Sequence, residues 1–118
     1  MDRYVLWRDG FASILDPRFY TIDWLDGQVW AGFTKVFAAD DACIVTEVKI
    51  YPTGAREVHG IAAVGSMDSI IDQLIPQAEA WGRSLGCITA SIASRPGWIK
   101  ALKPHGYELH QCEIRKDL

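Results

Sequence analysis

The amino-acid sequence predicts an α/β fold in which one mixed β-sheet carries helices on both faces. Three segments rich in β-branched and aromatic residues, 33–37, 42–51 and 56–64, are separated by short turns and predict an antiparallel meander. A long helical stripe then precedes a strand at 87–93, a short helix and a last strand at 107–115. The predicted order is an antiparallel meander followed by β-α-β-α-β, whose crossover helix makes its first two strands parallel.

Length and composition limit the class of protein. The 118 residues, 49% hydrophobic and with a net charge of -3, suit a single domain over residues 1–118. The acidic balance and the lack of a basic run argue against a nucleic-acid partner, and no apolar run is long enough for a membrane span. The first residues lack the apolar region of a signal peptide, and the cysteines, Cys43, Cys87 and Cys112, are spaced like buried reduced thiols. We therefore expect a cytoplasmic protein.

The N-terminal third predicts a short strand and helical segments. Residues 3–7 alternate like a strand, and residues 11–15 read as one helical turn ended by Asp16-Pro17. Thr21 is suited to cap a second helix, with Asp23 in its first turn. These elements are expected to cover one face of the sheet.

The longest helix is predicted to begin after Gly65, with Ser66 as its cap, and to end at Gly86. Pro76 lies within it and predicts a kink, because proline lacks a backbone donor. Its apolar residues recur at helical spacing and predict a buried stripe: Ile70, Ile71, Leu74, Ile75, Ala78, Trp81 and Leu85.

One phrase and the element order together resemble a known family. Residues 97–107, Gly-Trp-Ile-Lys-Ala-Leu-Lys-Pro-His-Gly-Tyr, look like the helix-then-GY/GF segment of the Gcn5-related N-acetyltransferase (GNAT) superfamily. Residues 51–107, with Pro-Gln-Ala-Glu-Ala-Trp in the long helix, also resemble the small GNAT-like proteins of tailed phages and prophages. The resemblance covers roughly residues 20–115.

The resemblance implies an acetyl-CoA-dependent N-acyltransferase that acts on an amine. In this family acetyl-CoA lies in a cleft where two parallel strands separate. The pantetheine arm would then pair with a strand edge made by Ile61, Ala62, Ala63 and Val64. The pyrophosphate would bind backbone N–H groups of Gly65, Ser66 and Met67 at the start of the long helix, where unpaired donors and the helix dipole favour an anion.

Departures from the family pattern support a second interpretation. Residues 62–67 keep one glycine of the phosphate loop and no basic residue, and Asp68 adds a negative charge there. Leu102 stands where the family often has a general-acid tyrosine. The alternative is a catalytically inert phage or prophage protein that acts by binding another protein, as a virion component or an inhibitor of a host system.

Two sets of polar residues are candidates for chemistry. Glu57 and His59 alternate on one face of a meander strand and are suited to take a proton from an amine, directly or through water; the alternative is an ordinary solvated sheet face. Arg95 follows the strand at 87–93, where α/β sheets place ligands, and is suited either to bind phosphate or to cap the neighbouring loop. His110 and Cys112 share a face but have no third metal ligand, so no metal is predicted.

Overall fold

A computed structural model describes residues 2–118, without the side chain of Asp2. It contains a four-stranded sheet in the order β1-β2-β3-β4. The strands are β1 (Lys35–Ala39), β2 (Ala42–Ile50), β3 (Arg56–Gly65) and β4 (Cys87–Ile92). The first two pairs are antiparallel and β3 with β4 is parallel, which confirms the predicted meander and mixed sheet.

Helices cover both faces of this sheet. α1 (Asp2–Ile14) and α2 (Ile22–Trp30) precede it, α3 lies between β3 and β4, and α4 (Gly97–Leu102) is followed by a 3₁₀ turn (Lys103–His105). α3 is continuous through three segments, Met67–Ser69, Ile70–Leu74 and Ile75–Ser84. No helix of the described residues has the length and hydrophobicity needed to cross a bilayer.

Side chains of β2 alternate between two hydrophobic cores. Cys43 and Val45 are fully buried against α1 and α2, in a core that also contains Tyr4 and Leu25. Ala42, Ile44 and Leu102 lie on the opposite face, packed against the buried residues of α3. The period of two along a strand therefore places one core on each side of the sheet. Of the other two cysteines, Cys87 is half-buried and Cys112 is exposed, so the prediction that all three are buried is wrong.

The predicted strand at residues 3–7 is wrong, because these residues belong to α1. Tyr4 and Phe11 are buried on the same helical face, with ring centroids 5.7 Å apart. The Tyr4 hydroxyl donates to Asp26 at 2.6 Å, and Arg8 forms a salt bridge with Asp26 at 2.8 Å. These contacts join α1 to α2 at helical spacing, which a five-residue alternation could not reveal.

The predicted last strand at 107–115 is also wrong: residues 107–118 contain no strand or helix. Leu109 and Ile114 are exposed, so the alternating pattern has no core to face. Tyr107 is instead anchored to α3, where its hydroxyl donates to Glu79 at 2.7 Å. The segment then reaches the loop after α1, where Asp117 pairs with Arg18 at 3.1 Å. β4 is consequently an edge strand among the described residues.

The predicted boundaries of α2 and α3 are confirmed. Thr21 caps α2 by accepting from the Trp24 N–H at 3.2 Å, and Ser66 caps α3 by accepting from the Ser69 N–H at 3.4 Å. Gly86 has a φ of 80°, as expected of a left-handed helix stop. The irregularity predicted at Pro76 takes the form of a π-helical turn over Ile70–Leu74, immediately before it. Most of the predicted stripe is buried, but Leu85 at its end is exposed.

A bulge divides β3 into two halves. Thr46 of β2 lies opposite Gly60 and Val45 lies opposite Ala62, so Ile61 has no residue opposite it. Before the bulge, Glu57 and His59 lie opposite Lys49 and Glu47. Side chains alternate along a strand, so these four lie on the face of the sheet that α1 and α2 cover further along.

Candidate functional site

β3 and β4 separate halfway along β3. Their parallel pairing runs from Arg56 opposite Cys87 to Gly60 opposite Ile92, where β4 ends. β3 continues to Gly65 and remains paired with β2 on its other edge. The second half of β3, residues 61–65, therefore has a free edge on the side from which β4 has departed.

A cleft of about 760 Å³ occupies the space where the strands separate. Its walls include Ile61 and Ala62 of β3, Ile70 and Ala78 of α3, and Ile92 of β4. Ligand pockets for small molecules and cofactors commonly have ~300–1,000 Å³ and mostly apolar walls. The cleft has the volume and lining of such a pocket.

The structure brings some of the predicted cofactor residues to this cleft. Ile61, Ala62 and Ala63 line it. Val64, which follows them, is buried in the core against α1, where it approaches Gly10. The unpaired edge of β3 and the lining side chains are therefore contributed by one short segment.

The start of α3 is more occupied than the sequence suggested. The Ser66 N–H donates to the Asp41 carbonyl at 2.8 Å, so it is not free for an anion. Gly65 has a φ of 99°, and a Cβ there would lie 2.2 Å from the Asp41 oxygen. Neither Gly65, Ser66 nor Met67 contributes to the cleft lining in the described chain. Met67 is partly exposed beside the cap.

Arg95 lies at the cleft, in the turn that follows β4. Its side chain is exposed, and no carboxylate of the described residues lies within salt-bridge distance of it. Its backbone carbonyl accepts from the Trp98 N–H at 3.0 Å and helps to begin α4. The guanidinium is thus a cation at the cleft whose donors bond to no other residue between 2 and 118 that the structure describes.

Glu57 is the centre of a polar cluster on the paired half of β3. One carboxylate oxygen accepts from the Tyr51 hydroxyl, and the other accepts from the Thr89 hydroxyl at 3.1 Å. Partial burial acts to raise the pKa of Glu57, but hydrogen bonds from Tyr51, Ser91 and Thr89 outweigh it and hold that pKa below its ordinary value. Glu57 is therefore an ionised carboxylate at neutral pH.

His59 is joined to β4 by Ser91. Its Nδ1 lies 2.8 Å from the Ser91 Oγ, across the parallel register that pairs the two residues. Burial lowers the pKa of His59, and the Lys49 ammonium lowers it further, while Glu57 acts in the opposite direction. His59 is therefore neutral at pH 7, as a general base must be.

Ser91 connects this cluster to the cleft. Ser91 is among the residues that line the cleft, whereas Glu57 and His59 are not among them in the described chain. Glu57 and His59 were predicted from the sequence as candidate site residues, whereas Ser91 was not. Ser91 lies beside His59 because of the register in which β3 and β4 pair. No local sequence pattern shows the register between two strands that are distant in sequence.

Charged side chains surround one end of the cleft. Asp16 from the loop after α1 and Arg115 from the C-terminal segment both line it. Arg18 pairs with Asp16 at 3.0 Å and with Asp117 at 3.1 Å, and the Arg115 guanidinium lies 4.2 Å from the centre of the Phe19 ring. The C-terminal segment is thereby held against the loop that follows α1.

Leu102 and Tyr107 lie on the α3 side. Leu102 is buried in the core, and its side chain has no proton to donate as a general acid. Tyr107 lines the cleft, and burial together with its hydrogen bond to Glu79 raises the pKa of its hydroxyl.

Among the described residues, no three His, Cys, Asp or Glu side chains are grouped in a way that would hold a metal ion.

Several solved structures to which this chain is similar are acetyltransferases. A Trypanosoma brucei acetyltransferase is 17% identical with a TM-score of 0.67, over 99% of this chain and 92% of that one. A ribosomal-protein-alanine N-acetyltransferase from Brucella melitensis biovar Abortus 2308 is 9% identical with a TM-score of 0.69, over 99% and 92%. AAC(6')-Iy, in complex with the bisubstrate analog CoA-S-monomethyl-acetylneamine, is 16% identical with a TM-score of 0.67, over 96% and 92%. At these identities the likeness shows that the chain has the GNAT acetyltransferase fold.

No protein-family model matches the chain, and no curated protein matches it either. The function of the chain is therefore inferred from the chemistry of the site itself.

Proposed function

We propose that the protein is an acetyl-CoA-dependent N-acyltransferase. The observation that carries this proposal is the cleft of about 760 Å³ between β3 and β4, beside the free edge of residues 61–65. The common fold with acetyltransferases, one of them solved with a CoA-containing bisubstrate analog, supports the same class of donor. The compartment expected from the sequence, the cytoplasm, is part of the same proposal.

The unpaired edge of β3 fits the amide-containing arm of acetyl-CoA. Ile61, Ala62 and Ala63 line the cleft with small or apolar side chains, next to backbone groups that have no strand partner on that side. An arm with its own amide groups would complete hydrogen bonding along this edge, as an added strand does. Val64 supports the segment from the core beneath it.

The phosphate groups would rely on fewer backbone donors than the family pattern supplies. The Ser66 N–H is already bonded to Asp41, so it cannot donate to a phosphate. The Met67 N–H, in the first turn of α3, remains as a backbone donor for a phosphate. Arg95 at the cleft supplies a cation that pairs with no carboxylate of the described residues. Binding of the phosphates should therefore depend strongly on Arg95.

Glu57 and His59 are the proposed acid–base pair. An amine must lose a proton as it attacks the thioester, and a neutral imidazole beside an ionised carboxylate is suited to accept it. His59 is neutral for the reasons given above, and Glu57 favours its charged form once the proton arrives. The departing thiolate is a weak base compared with an alkoxide or amide, so the buried Leu102 in place of a tyrosine does not prevent its release.

Titration calorimetry with acetyl-CoA and with CoA tests the proposal. We expect saturable binding of both, with Arg95→Ala weakening it by ~10–150-fold, which corresponds to the ~1.5–3 kcal/mol of a hydrogen bond to a charged group. Arg56→Ala is the matched control, because Arg56 lies at the far end of β3 and donates to the Leu85 carbonyl. Failure of the wild-type protein to bind either compound at millimolar concentration would exclude the proposed function.

Turnover is tested by release of free CoA thiol. Two probe amines follow from the solved relatives, neamine and a short peptide with an N-terminal alanine. We expect thiol release that depends on one of these amines and on His59. Equal rates for wild type and His59→Gln would contradict the assigned base.

A second candidate, an inert phage or prophage protein that binds another protein, is supported by the outer edge of β4. This edge is unpaired in the described chain, and Ile88 on it is 75% exposed. Under this alternative, Ile88→Lys would abolish co-purification of one defined protein from the native host, and Leu6→Lys, at an equally exposed position in α1, would not. Acetyl-CoA binding and turnover would argue against it.

A further inference from the structure

Ser91 belongs to both parts of the candidate site. It lines the cleft, and its Oγ lies 2.8 Å from the Nδ1 of His59. Glu57 and His59 do not themselves line the cleft in the described chain. Ser91 is therefore the member of this hydrogen-bonded group that contributes to the wall of the cleft.

The hydroxyl of Ser91 has the hydrogen-bonding capacity that a relay needs. A serine hydroxyl has one proton to donate and two lone pairs that accept. Glu57 already accepts from Tyr51 on one oxygen and from Thr89 on the other, although Ser91 also helps to lower its pKa. The Nδ1 of His59 has Ser91 as its side-chain partner. In the tautomer of His59 with its proton on Nε2, Ser91 donates to Nδ1 and its oxygen keeps lone pairs that can accept a proton.

We infer that Ser91 is a catalytic residue that passes the proton of the acceptor amine from the cleft to His59. The inference depends on the proposed function, since it requires an amine and a thioester in the cleft. The amine nitrogen bonds to the thioester carbonyl carbon, and its N–H proton moves to the Ser91 oxygen as the Ser91 proton moves to Nδ1. The C–S bond then breaks, the thiolate departs with its electron pair, and the imidazolium returns the proton through Ser91 to the thiolate.

The charges around His59 suit this role. Glu57 on β3 favours an imidazolium, whereas Lys49 on β2 opposes it, and Glu47 of β2 lies opposite His59 on the same face. The imidazole is neutral before the reaction and carries a positive charge only while it holds the transferred proton. If His59 were an imidazolium before the reaction, its Nδ1 would already carry a proton and could not accept another.

Kinetics of three serine variants test the relay. Ser91→Ala removes the hydroxyl and is expected to lower the single-turnover rate by ~100-fold, a typical loss for general acid–base catalysis, while the affinity for acetyl-CoA stays unchanged. Ser91→Thr keeps a hydroxyl in a strand and should restore most of the rate. Ser84→Ala is the matched control, because its hydroxyl donates to the Trp81 carbonyl at the end of α3, away from the cleft.

The pH dependence separates a relay from a structural bond. In the wild type, kcat/KM should rise as His59 loses its proton below pH 6.5, and this limb should disappear in Ser91→Ala. A Ser91→Ala enzyme with the wild-type rate and pH profile would overturn the relay but leave the proposed function intact. If acetyl-CoA does not bind at all, both fall together.

Nuclear magnetic resonance of the protein alone provides a test that needs no turnover. Long-range proton–nitrogen spectra distinguish the two neutral tautomers of His59. The relay requires an unprotonated Nδ1 that accepts from Ser91, with the proton on Nε2, and the Nδ1 signal should shift in Ser91→Ala. A wild-type His59 that carries its proton on Nδ1 would exclude the relay whatever the activity measurements show.

Discussion

The two halves of β3 differ in partners, in chemistry and in what lies beside them. The first half, Arg56 to Gly60, is paired on both edges and carries Glu57 and His59 within a hydrogen-bonded polar cluster. The second half, after the bulge at Ile61, is paired only with β2 and borders an apolar cleft. A single strand therefore supplies both a rigid support for acid–base groups and an open edge for a ligand.

The difference also appears in how closely helices approach the two halves. Against the first half, α3 comes so near that a Cβ on Gly82 would lie 2.8 Å from Val58. Against the second half, a Cβ on Gly10 of α1 would lie 3.5 Å from Val64, an ordinary contact distance. At these two glycines, α3 therefore approaches the paired half more closely than α1 approaches the half that borders the cleft.

The largest expected effect is at the end of the open half. Gly65→Ala should lower the free energy of unfolding by about 3–5 kcal/mol, because it adds a Cβ that overlaps the Asp41 carbonyl at a positive φ. Gly54→Ala is the matched control, since Gly54 also has a positive φ but has nothing within 4 Å of an added Cβ. Urea unfolding of both variants measures the difference. Equal losses would show that backbone conformation alone, and not contact with Asp41, limits this position.

A smaller effect is expected under the paired half. Gly82→Ala should lower the free energy of unfolding by about 1–3 kcal/mol, because the added Cβ would lie 2.8 Å from the Val58 Cγ1 and 2.9 Å from its Cβ, which moves only with the backbone of β3. Gly10→Ala should instead be neutral or stabilise α1 by ~0.5–1 kcal/mol, since alanine is the better helix former. Unfolding curves in urea again provide the measurement. If Gly82→Ala is tolerated as well as Gly10→Ala, α3 leaves as much space beside Val58 as α1 leaves beside Val64.

A pH effect of modest size is expected from His59. Its pKa is lowered in the folded protein, so the unfolded chain binds more protons below the ordinary value of 6.5. The stability that neutral His59 contributes is therefore fully present above pH 6.5 and is lost as pH falls through the lower folded value. We expect unfolding free energies measured between pH 7 and 5 to fall less steeply in His59→Gln than in the wild type. Parallel slopes would assign the decline to other groups.

The smallest effect is expected where the halves meet. Gly60→Ala places a Cβ 3.5 Å from Ile92, an ordinary contact, so stability should change by less than ~0.5 kcal/mol. Thermal unfolding measures it. A loss as large as that expected at Gly82 would show that the point of strand separation is closely packed too.

Much of the fold was predictable because it depends on local patterns. The meander of β1, β2 and β3, the cap residues Thr21 and Ser66, and the stop at Gly86 all follow from turn chemistry and capping, which act within a few residues. The two strands that were wrongly predicted share one cause. Residues 3–7 and 107–115 alternate like strands, but alternation predicts a strand only where a sheet edge and a core are available to it.

The candidate site was predictable only in part. Glu57 and His59 were evident as polar residues alternating on one strand, and the free edge of residues 61–65 followed from the family resemblance rather than from composition. Ser91 could not be identified, because its place beside His59 is set by the register between strands separated by a whole helix. The use of the Ser66 N–H by Asp41 likewise depends on a contact distant in sequence.

The unopposed residue in β3 gives this chain a place where its length can change during evolution. Loss of Ile61 by a single-codon deletion would close the bulge and leave Ala62 opposite Val45, so the later residues of the strand would keep their faces. A deletion in the turn at Gly54 would alter only the loop that joins two strands. Relatives of different length should therefore vary at that turn or at the bulge and keep the spacing between Ala62 and Gly65.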